Sequence, residues 1–106
     1  MSPERAAEML AAGEAEVIDV REIYERHAGR IEGSRHVELE RLASAAETIH
    51  RDRPVIFQCR LGARSGMATQ AFRAAGYDAY NLEGGIAAWV DRGLPIAPVD
   101  GFVAEH

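Results

Sequence analysis

Short apolar runs alternate along the chain with segments in which apolar residues recur at helical spacing. Ser2 and Pro3 have the chemistry of an N-cap and a first helical residue. The spacing predicts a helix to about Ala12, with Met9 and Leu10 on its buried side and Gly13 ending it. Ala15–Val20 reads as a buried strand that ends in charge. Glu22–His27 reads as a short helix before Gly29, and Ser34–Leu39 as a weak second strand. A helix around Leu42–His50 follows. Pro54–Gln58 is a clear strand, with Pro54 at its mouth where a missing N–H does least harm. From Ser65 the period turns helical: Met67, Ala68, Ala71, Phe72 and Ala75 share one stripe, and Gly76 closes it. Asp78–Leu82 reads as a fourth strand. Gly84 and Gly85 turn the chain into a helix carrying Ile86, Trp89 and Val90, which Gly93 and Pro95 end. Residues 96–106 read as a loosely held tail.

Short apolar strands alternating with amphipathic helices imply a parallel sheet covered on both faces. Ligands of such sheets bind at the carboxyl ends of the strands. With 106 residues and no linker or repeat, the chain reads as one domain, 1–106, with its core at about 2–95. Its 47% apolar and 27% charged residues are those of an ordinary soluble protein. No apolar run would span a bilayer, so no membrane partner is expected. Met1-Ser2-Pro3-Glu4-Arg5 has neither the basic nor the apolar region of a signal peptide, and a cytoplasmic location is expected.

Charge and cysteine count narrow the chemistry. A net charge of −5 argues against nucleic acid as a partner; that all twelve basic residues are arginine points to no function by itself. One cysteine, Cys59, excludes an internal disulfide and a Cys-rich zinc site within the chain. His27 and His36 lack metal-ligand spacing, and both read as structural; His50 and His106 read as exposed. Trp89 reads as core, and Gly84-Gly85 as turn chemistry, since a dinucleotide fingerprint needs G-x-G-x-x-G. Asp19, Arg21 and Glu22 follow a strand at the same sheet edge as Cys59; their expected role is bracing, with Arg21 as a possible extra charge at the site. A lone cysteine is either packing or a nucleophile, and its surroundings decide between the two.

Those surroundings are Phe57-Gln58-Cys59-Arg60-Leu61-Gly62-Ala63-Arg64-Ser65-Gly66: a strand end, a tight loop and a helix start. Backbone N–H groups of such a loop can converge on an anion, and the helix N-terminus adds its positive end. Gly62 permits a turn that a side chain resists, and Arg60 and Arg64 put two fixed charges around the sulfur. All of these favour thiolate. A free cysteine titrates near 8.5, and helix N-termini and cations bring the value to roughly 3.5–7.5. A cysteine at a buried strand end is often only a small hydrophobe; strand, Cys, two arginines, Gly and helix start together favour the nucleophile.

This segment resembles the active-site loop of the rhodanese family, with Cys59 in the nucleophile position and residues 60–64 as the loop wall. Asp19-Val20-Arg21-Glu22 resembles the family's first strand-end motif. His27-Ala28-Gly29-Arg30-Ile31-Glu32-Gly33-Ser34 is similar to its His-x-x-Gly-His-Ile-Pro-Gly-Ala segment, with Arg30, Glu32 and Ser34 as departures. Gly76-Tyr77 and Leu82–Trp89 are similar to its C-terminal signature. The likeness covers about Ser2 to Pro95 in the family's order. It implies a three-layer α/β/α fold with a central parallel sheet of four or five strands, since the chain begins at the first helix. It implies a sulfurtransferase that moves a sulfane sulfur from thiosulfate or a similar donor to cyanide, a thiol or a partner protein. Cys59 would carry the sulfur as a persulfide, and Arg60, Leu61, Gly62, Ala63, Arg64 and Ser65 would bind substrate, with no metal or organic cofactor. A sulfur-relay module for a partner protein is the first alternative. The second is a phosphatase, because the related cell-cycle phosphatases share the fold. Their loop holds five residues between Cys and Arg, whereas Cys59 and Arg64 enclose four, which suits one sulfur atom better than a phosphoryl group.

Overall fold

A computed structural model describes residues 1–106. Ser2 accepts the Arg5 N–H at 3.1 Å and starts helix α1, Pro3–Ala11, with Pro3 at its first position. Strand β1, Glu16–Asp19, follows, then α2, Ile23–Ala28, and a two-residue strand β2, Arg35–His36. After a short helical segment come β3, Val55–Gln58; α4, Ala63–Ala74; β4, Ala79–Asn81; and α5, Gly85–Asp91. The four strands form one parallel sheet in the order β2-β1-β3-β4. The sheet has four strands, the smaller of the two numbers expected.

Strand alternation sorts the core into two halves. Ile18, Val55, Phe57 and Ala79 pack with Leu42, Ile49, Ala68 and Phe72 on one side of the sheet. Val17 and Ile56 pack with Ala6, Met9, Ile86 and Trp89 on the other, under α1 and α5. This is a three-layer α/β/α arrangement. Every β3 residue is buried, as a central strand of a doubly covered sheet requires.

Three expectations change. Leu42–His50 is not one helix: it holds 3-10 turns at Leu39–Arg41 and Ala46–Thr48 around a single α turn, Leu42–Ala45. Ser44 Oγ and Thr48 Oγ1 donate to the carbonyls of Arg41 and Ala45, at 2.9 and 2.6 Å, a local bonding that competes with a regular helix. On α4 the buried face is Ser65, Ala68, Thr69 and Phe72, while Met67 is 58% exposed. The helix starts two residues earlier than its apolar period indicates, and its buried face is half polar. Residues 96–106 are hydrogen-bonded along α2: Arg30 and Ala97 exchange backbone bonds at 2.8 Å, Phe102 N–H donates to Ala28 at 2.9 Å, and Tyr24 Oη donates to the Glu105 carbonyl at 3.0 Å.

At the end of β1 a buried ion pair fixes the turn toward α2. Arg21 Nε and Nη2 donate to both Asp19 oxygens at 2.9 Å, and Nη2 also reaches the Gly29 carbonyl at 2.8 Å. Both side chains are fully buried. Asp19 and Arg21 therefore brace the loop, and Arg21's charge is taken up there. Removing one partner strands a buried charge, so Asp19→Ala is expected to cost about 3–5 kcal/mol. Urea unfolding checks this as a lower midpoint at unchanged slope; a loss under about 1 kcal/mol, the scale of an exposed pair, would contradict it.

Candidate active site

β3 ends at Gln58, and Cys59 follows at the carboxyl edge of the sheet, only 1% exposed. The loop then turns at Gly62, whose φ of +116° lies in the region open to glycine, and runs straight into α4. This turn brings donors onto one atom. Cys59 Sγ accepts from Gly62 N–H at 3.1 Å, from Ser65 Oγ at 3.2 Å and from Ser65 N–H at 3.5 Å.

The peptides of the loop are oriented from behind. The Cys59 carbonyl accepts Ile86 N–H at 2.9 Å, and the Arg60 carbonyl accepts Ala87 N–H at 3.1 Å. In a trans peptide the N–H points opposite to the carbonyl. Tying these two carbonyls to the start of α5 therefore fixes the planes of both peptides and turns the Leu61 N–H toward the sulfur. This contact requires a bare backbone at Gly85: a Cβ there would strike the carbonyls of Arg60 and Cys59, and φ is +63°. Gly84-Gly85 is thus the back wall of the loop.

Burial alone would raise the thiol's pKa, because it disfavours charge. The hydrogen bonds from the Ser65 hydroxyl and from the Ser65, Gly62 and Leu61 N–H groups outweigh it, and the Cys59 pKa lies below that of an ordinary thiol. The donors favour the thiolate form in a site almost closed to water.

The structure separates the two arginines that the sequence places together around the sulfur. Arg64 makes a two-pronged pair with Glu25 of α2, Nη1 to Oε1 at 2.8 Å and Nη2 to Oε2 at 2.9 Å. Glu25 is fully buried and also accepts the Glu22 N–H at 3.1 Å. Burial pushes its carboxyl up, but the bonds from Arg64 and the Glu22 backbone prevail and hold its pKa below the usual range. Its folded value thus lies below its unfolded one. The stabilisation from ionised Glu25 is complete above the unfolded value, about 4.5, and is lost as pH falls through the lower folded value. Arg64 is therefore the strut that holds α2 against the loop. Arg60, half-buried, has no side-chain hydrogen bond or ion pair and stays free to meet an anion.

Cys59, Arg60, Leu61, Ala63 and Arg64 line a cavity of about 230 Å³, and His106 completes its wall. Ser65 and Gly62 face the sulfur from beneath. Leu61 is 61% exposed at the rim. The sequence does not single out His106, Glu25 or Asn81 as part of the site. His106 Nε2 lies 3.0 Å from Glu22 Oε2, carried there by the tail. Asn81 reaches the loop from β4, donating Nδ2–H to the Gly62 carbonyl at 3.0 Å and accepting Ser65 Oγ–H at 2.6 Å. No periodicity or local motif signals these three, since each meets the loop only through the tertiary fold. The grouping of Glu22, Glu25 and His106 has metal-ligand types, but both Glu25 oxygens are held by Arg64.

Comparisons with known proteins agree with this geometry. The family model for the rhodanese-like domain matches residues 2–92. The uncharacterized protein YqhL of Bacillus subtilis is 41% identical over 76 residues, 71% of this chain; the match spans only 60% of that longer protein. Thiosulfate sulfurtransferase GlpE of Actinobacillus succinogenes is 30% identical over 102 residues, 95% of this chain and 92% of that protein. Among solved structures, a rhodanese-related protein of Thermoplasma volcanium superposes with a TM-score of 0.84 at 27% identity, over 92% of this chain and 95% of that one. With the family model matched over most of its length and a strand–Cys–loop–helix site at the sheet's carboxyl edge, this chain belongs to the rhodanese-like domain family.

Proposed function

We propose that the protein is a thiosulfate sulfurtransferase working through a Cys59 persulfide. The observation that carries this reading is the lone thiol, met by three hydrogen-bond donors at the floor of a small cavity that holds an unpaired arginine. The relatives named as sulfurtransferases support the class of reaction. The Cys59 thiolate attacks the outer sulfur of thiosulfate. A sulfur–sulfur bond forms as the donor's own breaks, and sulfite leaves with that electron pair. The enzyme is left as the Cys59 persulfide anion, its charge moved one atom outward toward the cavity. An acceptor anion, cyanide or a thiolate, then attacks the outer sulfur and restores the Cys59 thiolate. This is covalent catalysis in two halves. The chain's part is a thiol whose ionisation the loop donors favour, and fixed N–H dipoles that need no rearrangement as charge moves.

A cavity of about 230 Å³ has room for a small donor anion of a few heavy atoms. Arg60 supplies the unpaired cation in its wall, and Arg64 acts through the position of the loop.

Thiosulfate is expected to add the mass of one sulfur atom to the intact protein, and cyanide to remove it. Cys59→Ser is expected to do neither; full thiocyanate production by that variant would sink the mechanism. The arginines separate in steady-state kinetics. Arg60→Ala is expected to raise KM several-fold with a modest change in kcat, and the difference from wild type should shrink with salt, since screening acts over about 8–10 Å. Arg64→Ala is expected to lower kcat and raise KM together, because it strands buried Glu25 and loosens the loop. Wild-type constants in both folded variants would show that the backbone alone makes the anion site.

A further inference from the structure

The donors at Cys59 are held by one side chain outside the loop. Asn81 ends β4, beside Phe57 of β3 in the sheet register. From there its amide spans the cradle. Nδ2 donates to the Gly62 carbonyl at 3.0 Å, and Oδ1 accepts the Ser65 hydroxyl at 2.6 Å. The Gly62 carbonyl also accepts Gly66 N–H at 2.9 Å, in the first turn of α4. Two donors hold this carbonyl, and with it the plane of the Gly62–Ala63 peptide. The peptide preceding Gly62 supplies the N–H that meets Sγ at 3.1 Å. Asn81 thus grips the cradle at its turn and at its hydroxyl donor. The fork requires one donor and one acceptor, which an amide has and a carboxylate lacks.

Ser65 adds a constraint of proton count. Its hydroxyl carries one hydrogen and lies 2.6 Å from Asn81 Oδ1 and 3.2 Å from Cys59 Sγ. One hydrogen cannot serve both acceptors fully. Shared between the two, the hydrogen keeps Ser65 Oγ beside the sulfur, and without Asn81 the hydroxyl is free to rotate away from it.

We propose that Asn81 is a positioning residue for the Cys59 nucleophile, acting through the Gly62 carbonyl and the Ser65 hydroxyl. This rests on Cys59 being a nucleophilic thiolate, and it deepens that reading without needing a particular sulfur donor. The test is the pH dependence of Cys59 alkylation by iodoacetamide in wild type, Asn81→Ala, Ser65→Ala and the double variant. Thermal melts and near-ultraviolet circular dichroism establish that each is folded. Asn81→Ala is expected to raise the alkylation midpoint by about one pH unit and to lower thiosulfate kcat about tenfold, with a smaller change in KM. Ser65→Ala is expected to raise the midpoint as well, and the double variant to fall clearly short of the sum, because the two residues share one route to the sulfur. Asn81→Asp keeps the shape, turns a negative oxygen on the Gly62 carbonyl and is expected to raise the midpoint further than alanine does. It serves as the deciding variant should alanine fail to fold. A wild-type alkylation profile in either folded Asn81 variant, or fully additive Asn81 and Ser65 shifts, would overturn the inference. Alkylation uses no sulfur donor, so a wild-type protein that takes up no sulfur from thiosulfate would refute the proposed function and leave this test intact.

Discussion

A sulfur almost closed to water can be an anion only if donors inside the protein replace the water it has lost. Burial of Cys59 works against charge, and a handful of hydrogen bonds from Gly62, Leu61 and Ser65 must do more than offset it. Much else near the carboxyl edge of the sheet serves that requirement. β3 delivers the thiol to the edge. The left-handed turn at Gly62 aims an N–H back at it. α5 takes up the Cys59 and Arg60 carbonyls and so orients the loop peptides, with the Leu61 N–H on the sulfur.

The same requirement explains why charged groups are buried around the site. The Arg64–Glu25 pair is a costly structure in stability alone, because two charges leave water to form it. Its value is geometric: a planar two-pronged contact fixes α2 against the start of α4 and with it the loop between. Asp19 and Arg21 hold the base of α2 in the same manner. Arg60 is then the unpaired arginine in the cavity wall, on an otherwise acidic chain. Division of labour between a structural and a free arginine keeps the cradle rigid without neutralising the cavity.

The loop from Phe57 to Gly66 was legible in the sequence because its parts are contiguous: an apolar strand, a cysteine, a glycine and a helix start. The parallel sheet was legible because β1, β3 and β4 are short apolar runs between helical periods. What could not be read was long-range. Glu25 and Arg64 lie 39 positions apart, and nothing local links them. Asn81 sits 19 positions from Gly62 in a strand that carries no local sign of the loop. Met67 was misplaced because the apolar period of α4 omits Ser65 and Thr69, polar residues that are buried: one bonds the sulfur, and the other donates to the Ser65 carbonyl. The tail is not legible in the sequence because its contacts are long-range: backbone bonds to Arg30 and Ala28, the Tyr24 hydroxyl on the Glu105 carbonyl, and His106 beside Glu22.

The most direct test of the donor cradle is the thiolate's own ultraviolet absorbance, titrated against pH with Cys59→Ser as the blank. The chain has one cysteine, so the difference spectrum reports that sulfur alone. The account predicts a midpoint below about 8.5, the value of an unperturbed thiol. A midpoint at or above it would mean that burial outweighs the donors, and that the loop does not make Cys59 a thiolate.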